Sequence, residues 1–146
     1  MTLPIDLVLV RHGQSEGNKA KRLSEAGDHE ALNRAFKNRH THGFRLTKAG
    51  RSQAKRTGKW LLREFGSRFF DRYYTSEYVR AIETSEGFAL PNASWFTEPY
   101  LIERDWGDLD KYNEEERLKL FARDLALRHV QPFLWRPQNG ENFATL

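Results

Sequence analysis

The sequence predicts an α/β domain with a mainly parallel sheet, because strand patterns alternate with helical patterns along its 146 residues. The length suits one domain, so residues 1–146 are assigned to a single domain. The predicted strands are Leu7–Val10, Phe69–Thr75 and Trp95–Thr97. They cover only about a tenth of the chain, whereas roughly 20–25% is typical of globular domains. A thin sheet is therefore expected.

The first predicted strand leads directly into a candidate functional segment. Leu7–Val10 is a short continuous apolar run, which is typical of a strand buried on both faces. It runs into Arg11-His12-Gly13, where the glycine lets the chain turn. Ligands of parallel α/β sheets bind at the carboxyl ends of strands, so a ligand site is expected at this turn.

Helical patterns fill much of the remaining chain. Apolar and small residues at helical spacing predict a helix over Lys48–Phe65, with Thr47 as its N-cap. Ser76 is expected to cap a second helix that ends near Gly87. Residues 113–116 resemble a capping box, which predicts a third helix. Its apolar positions are Leu118, Phe121, Ala122 and Leu125.

A long polar segment separates the first strand from the first of these helices. Residues Ala20–Arg45 hold few large apolar side chains and contain Gly27 and Gly43. Connections of this length are uncommon in a compact domain unless they serve function. We interpret the segment as an insertion over the site, with one short helix formed around Ala31, Leu32, Ala35 and Phe36.

Composition excludes several classes of protein and site. The chain has no cysteine, so it forms neither a disulfide framework nor a thiolate metal site. His40 and His42 alternate without a third ligand in view, so no metal site is expected. The longest apolar run is far shorter than the roughly 20 residues of a membrane helix. Because Met1–Asp6 also lacks the pattern of a secretory signal, we expect a cytoplasmic protein with no membrane partner.

Charge is distributed unevenly between the two halves of the chain. Residues 1–73 hold sixteen basic and seven acidic side chains, whereas residues 74–146 hold eight and thirteen. Arginine outnumbers lysine by 16 to 8, and a guanidinium can bind phosphate through two donors at once. An anionic partner is therefore expected, either nucleic acid or a small phosphate ester.

Residues 11–18 hold the side chains that phosphoryl chemistry needs. The His12 imidazole can attack phosphorus while the Arg11 guanidinium holds the phosphoryl oxygens. Ser15 and Asn18 can donate further hydrogen bonds to a phosphate. The segment is therefore a candidate phosphate site.

At these residues the sequence resembles the histidine phosphatase superfamily, whose fold is phosphoglycerate mutase-like. Residues 11–18 match its opening pattern, Arg-His-Gly-x-Ser-x-x-Asn. The resemblance implies a three-layer α/β/α architecture. Further stretches match in the family's order along nearly the whole chain: Leu46-Thr47-x-x-Gly50-x-x-Gln53-Ala54, Ser76-x-x-x-Arg80-Ala81-x-x-Thr84, Leu101-Ile102-Glu103-Arg104-Asp105-Trp106-Gly107 and Gly140-Glu141-Asn142-Phe143.

The resemblance also implies a role for individual residues. His12 matches the nucleophile that becomes a phosphohistidine, and Glu103 matches the proton donor to the leaving oxygen. Arg11 and Arg80 match the arginines that clamp the phosphate, and Asn18 matches a polar residue of the phosphate pocket. This chemistry requires neither a metal nor an organic cofactor.

One departure from the family pattern concerns a second histidine. The family places it in a Ser-His-Gly or Thr-His-Gly context on a strand near the C-terminus, where it helps hold the phosphoryl oxygens. Besides His12 the chain has only His29, His40, His42 and His129, and none follows a C-terminal strand. We therefore expect the C-terminal part of the fold, with this histidine, to be missing from the chain.

The sequence favours a phosphatase that cleaves a phosphomonoester through a phosphohistidine at His12. A phosphomutase of the same family is one alternative. A non-catalytic module that binds a phosphorylated ligand or a protein is another, because the second histidine is absent. A small phosphorylated molecule is the expected partner, and nucleic acid is not, because the basic residues lack a recognition motif. Substrate identity and oligomeric state are not predicted.

Overall fold

The computed structural model of the protein describes residues 6–35 and 39–144. The helices there are α1 (Glu16–Glu25), α2 (Glu30–Ala35), α3 (Lys48–Phe65), α4 (Val79–Gly87), α5 (Glu114–Leu120) and α6 (Ala122–Val130). The strands are β1 (Tyr73–Thr75) and β2 (Trp95–Thr97). Three short 3₁₀ turns connect these elements, at Thr41–Gly43, Pro99–Leu101 and Gly107–Lys111.

The two strands form a parallel pair, which confirms an α/β fold with parallel pairing. Tyr73 lies opposite Trp95, and Thr75 lies opposite Thr97. The bounds predicted for β2 are confirmed, but β1 begins four residues later than predicted. The reason lies in the aromatic residues before it. Phe69 and Phe70 pack against Phe65 of α3, with ring centres 4.8 and 5.3 Å apart, and this packing keeps them out of the sheet.

The strand predicted over Leu7–Val10 is not formed. Leu7 and Leu9 are 71% and 81% exposed, and β1 and β2 pair only with each other among the described residues. Leu7–Val10 and β1 both line a cavity of about 840 Å³. An apolar run predicts a tendency to be buried, but a strand also needs the backbone of a neighbouring strand as its partner.

Helices α3 and α4 pack closely and form the core beside the sheet. The bounds of α3 and its N-cap are as predicted: the Thr47 side chain accepts from the Gly50 amide. Ala54 and Leu61 of α3 are buried against Phe88, which follows α4. Ser76 is not the N-cap of α4, because the helix begins two residues later than predicted, at Val79, with Tyr78 in the N-cap position. The Ser76 hydroxyl instead accepts from the Tyr78 amide at 3.3 Å.

The polar segment Ala20–Arg45 contains more helix than predicted. Helix α1 begins before it and extends to Glu25, although only Ala20 and Ser24 of this helix are buried. Few buried apolar residues leave little helical periodicity in the sequence, which is why α1 was not predicted. The predicted short helix is present as α2, and Phe36 lies outside the described residues.

The third predicted helix is present in two parts, α5 and α6. The predicted capping box is formed, since the Asn113 side chain accepts from the Glu116 amide and the Glu116 side chain accepts from the Asn113 amide. The helix breaks at Phe121, whose φ of −121° and ψ of 20° lie outside the helical range. In the part of the chain that the structure describes, no helix combines the length and apolar character needed to span a bilayer.

The close packing of α3 on the end of α4 predicts an unusual result for Gly58→Ala. Alanine normally stabilises a helix by about 0.5–1 kcal/mol relative to glycine. Here the added methyl group would overlap the carbonyl oxygen of Phe88. We expect Gly58→Ala to lower the free energy of unfolding by about 1–3 kcal/mol, as overpacking does. Urea denaturation followed by circular dichroism measures the change.

Ser52→Ala is the matched control, because Ser52 lies on the exposed side of the same helix. Its effect on the free energy of unfolding should stay within about 0.5 kcal/mol. Stabilisation by Gly58→Ala would contradict the observed approach of the two helices.

Candidate active site

The turn that carries His12 is fixed between α3 and α4. The Gly13 amide donates to the Thr84 hydroxyl of α4 at 3.1 Å, and the next amide donates to the Gln53 side chain of α3 at 2.8 Å. A methyl group at Gly13 would lie 2.5 Å from the Gly50 carbonyl oxygen. Only glycine allows the turn to come this close to α3, so these contacts set the position of the imidazole.

His12 anchors one ring nitrogen and presents the other to the site. Nδ1 lies 2.7 Å from the Gly13 carbonyl oxygen, and Nε2 lies 3.1 Å from Nε of Arg80. Because a carbonyl only accepts and a guanidinium only donates, the proton is assigned to Nδ1 and the lone pair to Nε2. Nε2 is therefore the nitrogen whose lone pair can attack an electrophile.

Electrostatics keep the His12 ring neutral. Burial is the main cause that lowers the pKa of His12 below its ordinary value, and the charges of Arg80 and Arg11 lower it further. The hydrogen bond to Gly13 and the charge of Glu103 act in the opposite direction without cancelling this effect. A neutral imidazole can attack an electrophile, whereas an imidazolium cannot.

Arg80 connects the parts of the site. It lies in the first turn of α4 and is only 4% exposed. Its Nε donates to His12, Nη1 donates to the Thr41 carbonyl oxygen at 2.7 Å, and Nη2 donates to Oε2 of Glu103 at 2.7 Å. Its Cζ lies 4.5 Å from the centre of the Tyr78 ring. One buried cation therefore contacts the predicted nucleophile and the predicted acid together.

Glu103 lies at the mouth of the site, where its side chain is 55% exposed. The chain that follows it is firmly held. The guanidinium of Arg104 stacks 4.3 Å from the centre of the Trp106 ring, and the Asp105 amide donates to the Glu141 carboxylate at 2.9 Å. The carboxyl group is thus positioned beside Arg80 but is reached by solvent.

The three other predicted phosphate ligands, Arg11, Ser15 and Asn18, differ from Arg80 in their contacts. The Asn18 amide donates to the Ser15 hydroxyl and the Ser15 amide donates to the Asn18 side chain, both at 3.1 Å. Both side chains therefore cap the start of α1, and Ser15 is only 2% exposed. Arg11 is exposed and acts on His12 through its charge. Phosphate binding by these three residues stays a prediction.

The sequence analysis did not predict two residues, Thr41 and Tyr78, that contact the cluster of His12, Arg80 and Glu103. Thr41 takes part through its carbonyl oxygen, which no side-chain pattern reveals. Tyr78 packs on Arg80. The sequence does show an aromatic residue two positions before the predicted clamping arginine, and this spacing could have indicated the contact. Thr41 lies within the Ala20–Arg45 segment, so part of that segment does reach the site.

The described residues contain no group of three or more histidine, aspartate or glutamate side chains placed to hold a metal ion. His40 and His42 contact each other, with their Nδ1 atoms 2.7 Å apart. The cluster of His12, Arg80 and Glu103 opens instead onto the 840 Å³ cavity described above. The arrangement combines a neutral imidazole, a fixed cation and a carboxyl group at one opening.

Comparison with known proteins identifies the family of the chain. The family model of the histidine phosphatase superfamily (branch 1) matches residues 7–146, so the chain belongs to this superfamily of enzymes. The family resemblance seen in the sequence is thereby confirmed.

Similar proteins include two 2,3-bisphosphoglycerate-dependent phosphoglycerate mutases. The one from Bartonella bacilliformis is 32% identical over 140 residues, and the one from Azorhizobium caulinodans is 34% identical over 149 residues. Each match covers 93% of this chain and 60% of the mutase. The crystal structure of the alpha-ribazole phosphatase from Shigella flexneri superposes with a TM-score of 0.68 at 22% identity, over 93% of this chain and 58% of that one. The chain thus has the family's fold and spans about three fifths of the length of these proteins.

The charge of Arg80 predicts a measurable effect on His12. Arg80→Met removes a cation that lowers the pKa of the imidazole, so the pKa of His12 should rise toward its ordinary value. A pH titration of the histidine ring signals by ¹H–¹⁵N NMR measures this shift. Arg63→Met, at an exposed position of α3, should leave the pKa of His12 unchanged. A lower pKa of His12 in Arg80→Met would contradict the proposed electrostatics.

Proposed function

We propose that the protein is a phosphomonoester phosphatase that works through a phosphohistidine at His12. The observation that supports this most strongly is the guanidinium of Arg80, which donates to His12 Nε2 and to the Glu103 carboxylate. A phosphoryl group bound there would lie between a nucleophile and an acid, and the cation would balance its charge. The proposed substrate is a small phosphorylated molecule in the cytoplasm rather than a nucleic acid.

In the first step, a phosphoryl oxygen takes over donors of Arg80, which releases the lone pair of His12 Nε2. Nε2 then forms a bond to phosphorus as the bond from phosphorus to the ester oxygen breaks. Protonated Glu103 gives its proton to that oxygen, so the alcohol leaves in neutral form.

In the second step, water attacks phosphorus and the phosphorus–nitrogen bond breaks. The Glu103 carboxylate accepts a proton from the water, which restores the acid, and inorganic phosphate leaves. His12 returns to its neutral form, with its proton still on Nδ1 and directed at the Gly13 carbonyl. The cycle needs no metal, so a chelator should not reduce turnover.

A phosphomutase is the second candidate, and the mutase names of the relatives favour it. The first step is the same in both. In a mutase the phosphoryl group passes from His12 to a hydroxyl of the bound organic molecule instead of to water. The exposed Glu103 favours hydrolysis, because water reaches the carboxyl group that would activate it.

Hydrolysis of an aryl phosphate tests the proposed chemistry. His12→Ala should reduce kcat by a factor of about 10³ or more, because it removes the nucleophile. Rapid acid-free quenching with ³²P-labelled substrate should label the wild-type protein and not the variant. His129→Ala replaces an exposed histidine of α6 and is the control that should keep full activity.

Equal turnover by wild type and His12→Ala would overturn the phosphohistidine mechanism. The alternative of a non-catalytic binding module predicts a different result. It predicts a rise in Tm with inorganic phosphate but no turnover and no labelled protein.

The choice between hydrolysis and transfer is tested by ³¹P NMR. With 3-phosphoglycerate as substrate, a phosphatase should produce a growing signal of inorganic phosphate. A mutase would instead produce the 2-phospho isomer, with inorganic phosphate remaining a minor signal. Release of phosphate as the main product is the expected outcome, because solvent reaches Glu103.

A further inference from the structure

We infer that Tyr78 is a positioning residue, which orients Arg80 with its ring and holds the acid Glu103 in place with its hydroxyl. This inference rests on the proposed function and assigns a task to a residue outside the predicted set of site residues. Tyr78 is 8% exposed, and it occupies the N-cap position of α4.

The ring of Tyr78 holds the guanidinium of Arg80 without using any of its donors. Cζ of Arg80 lies 4.5 Å from the ring centre, within the range of a cation–π contact. An acidic residue at this place would also hold the guanidinium, but it would occupy donors and cancel the charge. The ring therefore fixes Arg80 and leaves its N–H groups for His12, Glu103 and a phosphoryl group.

The hydroxyl of Tyr78 reaches two other parts of the site. It donates to the Glu103 carbonyl oxygen at 3.4 Å, and the Thr41 side chain hydrogen-bonds to it. Burial raises the pKa of Tyr78, so the phenol keeps its proton and remains a donor. One side chain therefore links the clamp, the backbone of the acid and the turn at Thr41.

The helix start does not need this side chain. The Tyr78 carbonyl oxygen accepts from the Ala81 and Ile82 amides, and any residue can supply these bonds. The side chain makes no capping hydrogen bond to α4. Its contacts are directed to the active site, which separates a positioning role from a role in forming the helix.

The test separates the hydroxyl from the ring by comparing Tyr78→Phe with Tyr78→Leu. An alkyl phosphate has a poor leaving group that needs the acid, whereas p-nitrophenyl phosphate has a good one that does not. Tyr78→Phe should lower kcat/KM by about 2- to 10-fold for the alkyl phosphate, the effect of one lost hydrogen bond. It should leave kcat/KM for p-nitrophenyl phosphate unchanged, because kcat/KM depends only on the steps up to cleavage of the ester, where this leaving group needs no acid. A purely structural loss would lower both rates equally.

The ring is tested by titration with inorganic phosphate, followed by calorimetry. Tyr78→Leu should raise the Kd of phosphate by about 3- to 30-fold, because Arg80 loses its cation–π contact. Tyr78→Phe keeps the ring and should keep the wild-type Kd. Tyr100→Phe is the control for both experiments, since Tyr100 is 92% exposed and should show wild-type values throughout.

The outcomes for Tyr78 and for the proposed function are distinguishable. If wild type hydrolyses neither ester, the proposed function fails, and the phosphate titration still decides the role of the ring. An equal loss of both rates in Tyr78→Phe, or an unchanged phosphate Kd in Tyr78→Leu with the fold intact by circular dichroism, would overturn the inference.

Discussion

The site depends on one buried cation, the guanidinium of Arg80. Burying a charge is costly unless its donors are satisfied and a counter-charge is close. Here every guanidinium nitrogen has an acceptor: His12, the Thr41 carbonyl oxygen and Glu103. Three separate parts of the chain therefore meet because a single side chain requires partners from each of them. The same arrangement would allow Arg80 to bind an anion, since a phosphoryl group can replace two of these acceptors.

The structure around Arg80 depends on backbone segments that approach each other closely at glycine positions, rather than on the packing of large side chains. Gly13 lies against Gly50 of α3, and Gly58 lies against the backbone at Phe88 after α4. Helices α3 and α4 therefore hold the His12 turn from both sides. The Thr84 hydroxyl accepts a hydrogen bond from the Gly13 amide. The position of His12 is thus fixed by backbone geometry, and its ring is anchored through Nδ1. Nε2 is then free to change partners during a reaction.

The proposed acid Glu103 and the proposed nucleophile His12 lie in different environments, and the difference suits the proposed roles. His12 is partly buried beside two cations, so its pKa is lowered and the ring stays neutral. Glu103 is exposed, but the two residues after it are held in place. Arg104 stacks on the Trp106 ring, and the Asp105 amide donates to the Glu141 carboxylate. A nucleophile benefits from shielding, whereas an acid that must be recharged by water benefits from exposure. Both belong to one network because each accepts from Arg80.

Local sequence patterns predicted the bounds of α3 and β2 and the capping box at Asn113. They also predicted the candidate residues His12, Arg80 and Glu103, which lie in contact in the structure. Such features depend on residues within a few positions of each other, so spacing reveals them. The tertiary structure was needed to show that Leu7–Val10 has no strand partner among the described residues and that Ser15 and Asn18 cap α1. It also brought Tyr78 and the Thr41 carbonyl to the guanidinium. These outcomes depend on which backbone and ring surfaces lie next to one another in space, and no spacing along the chain encodes that.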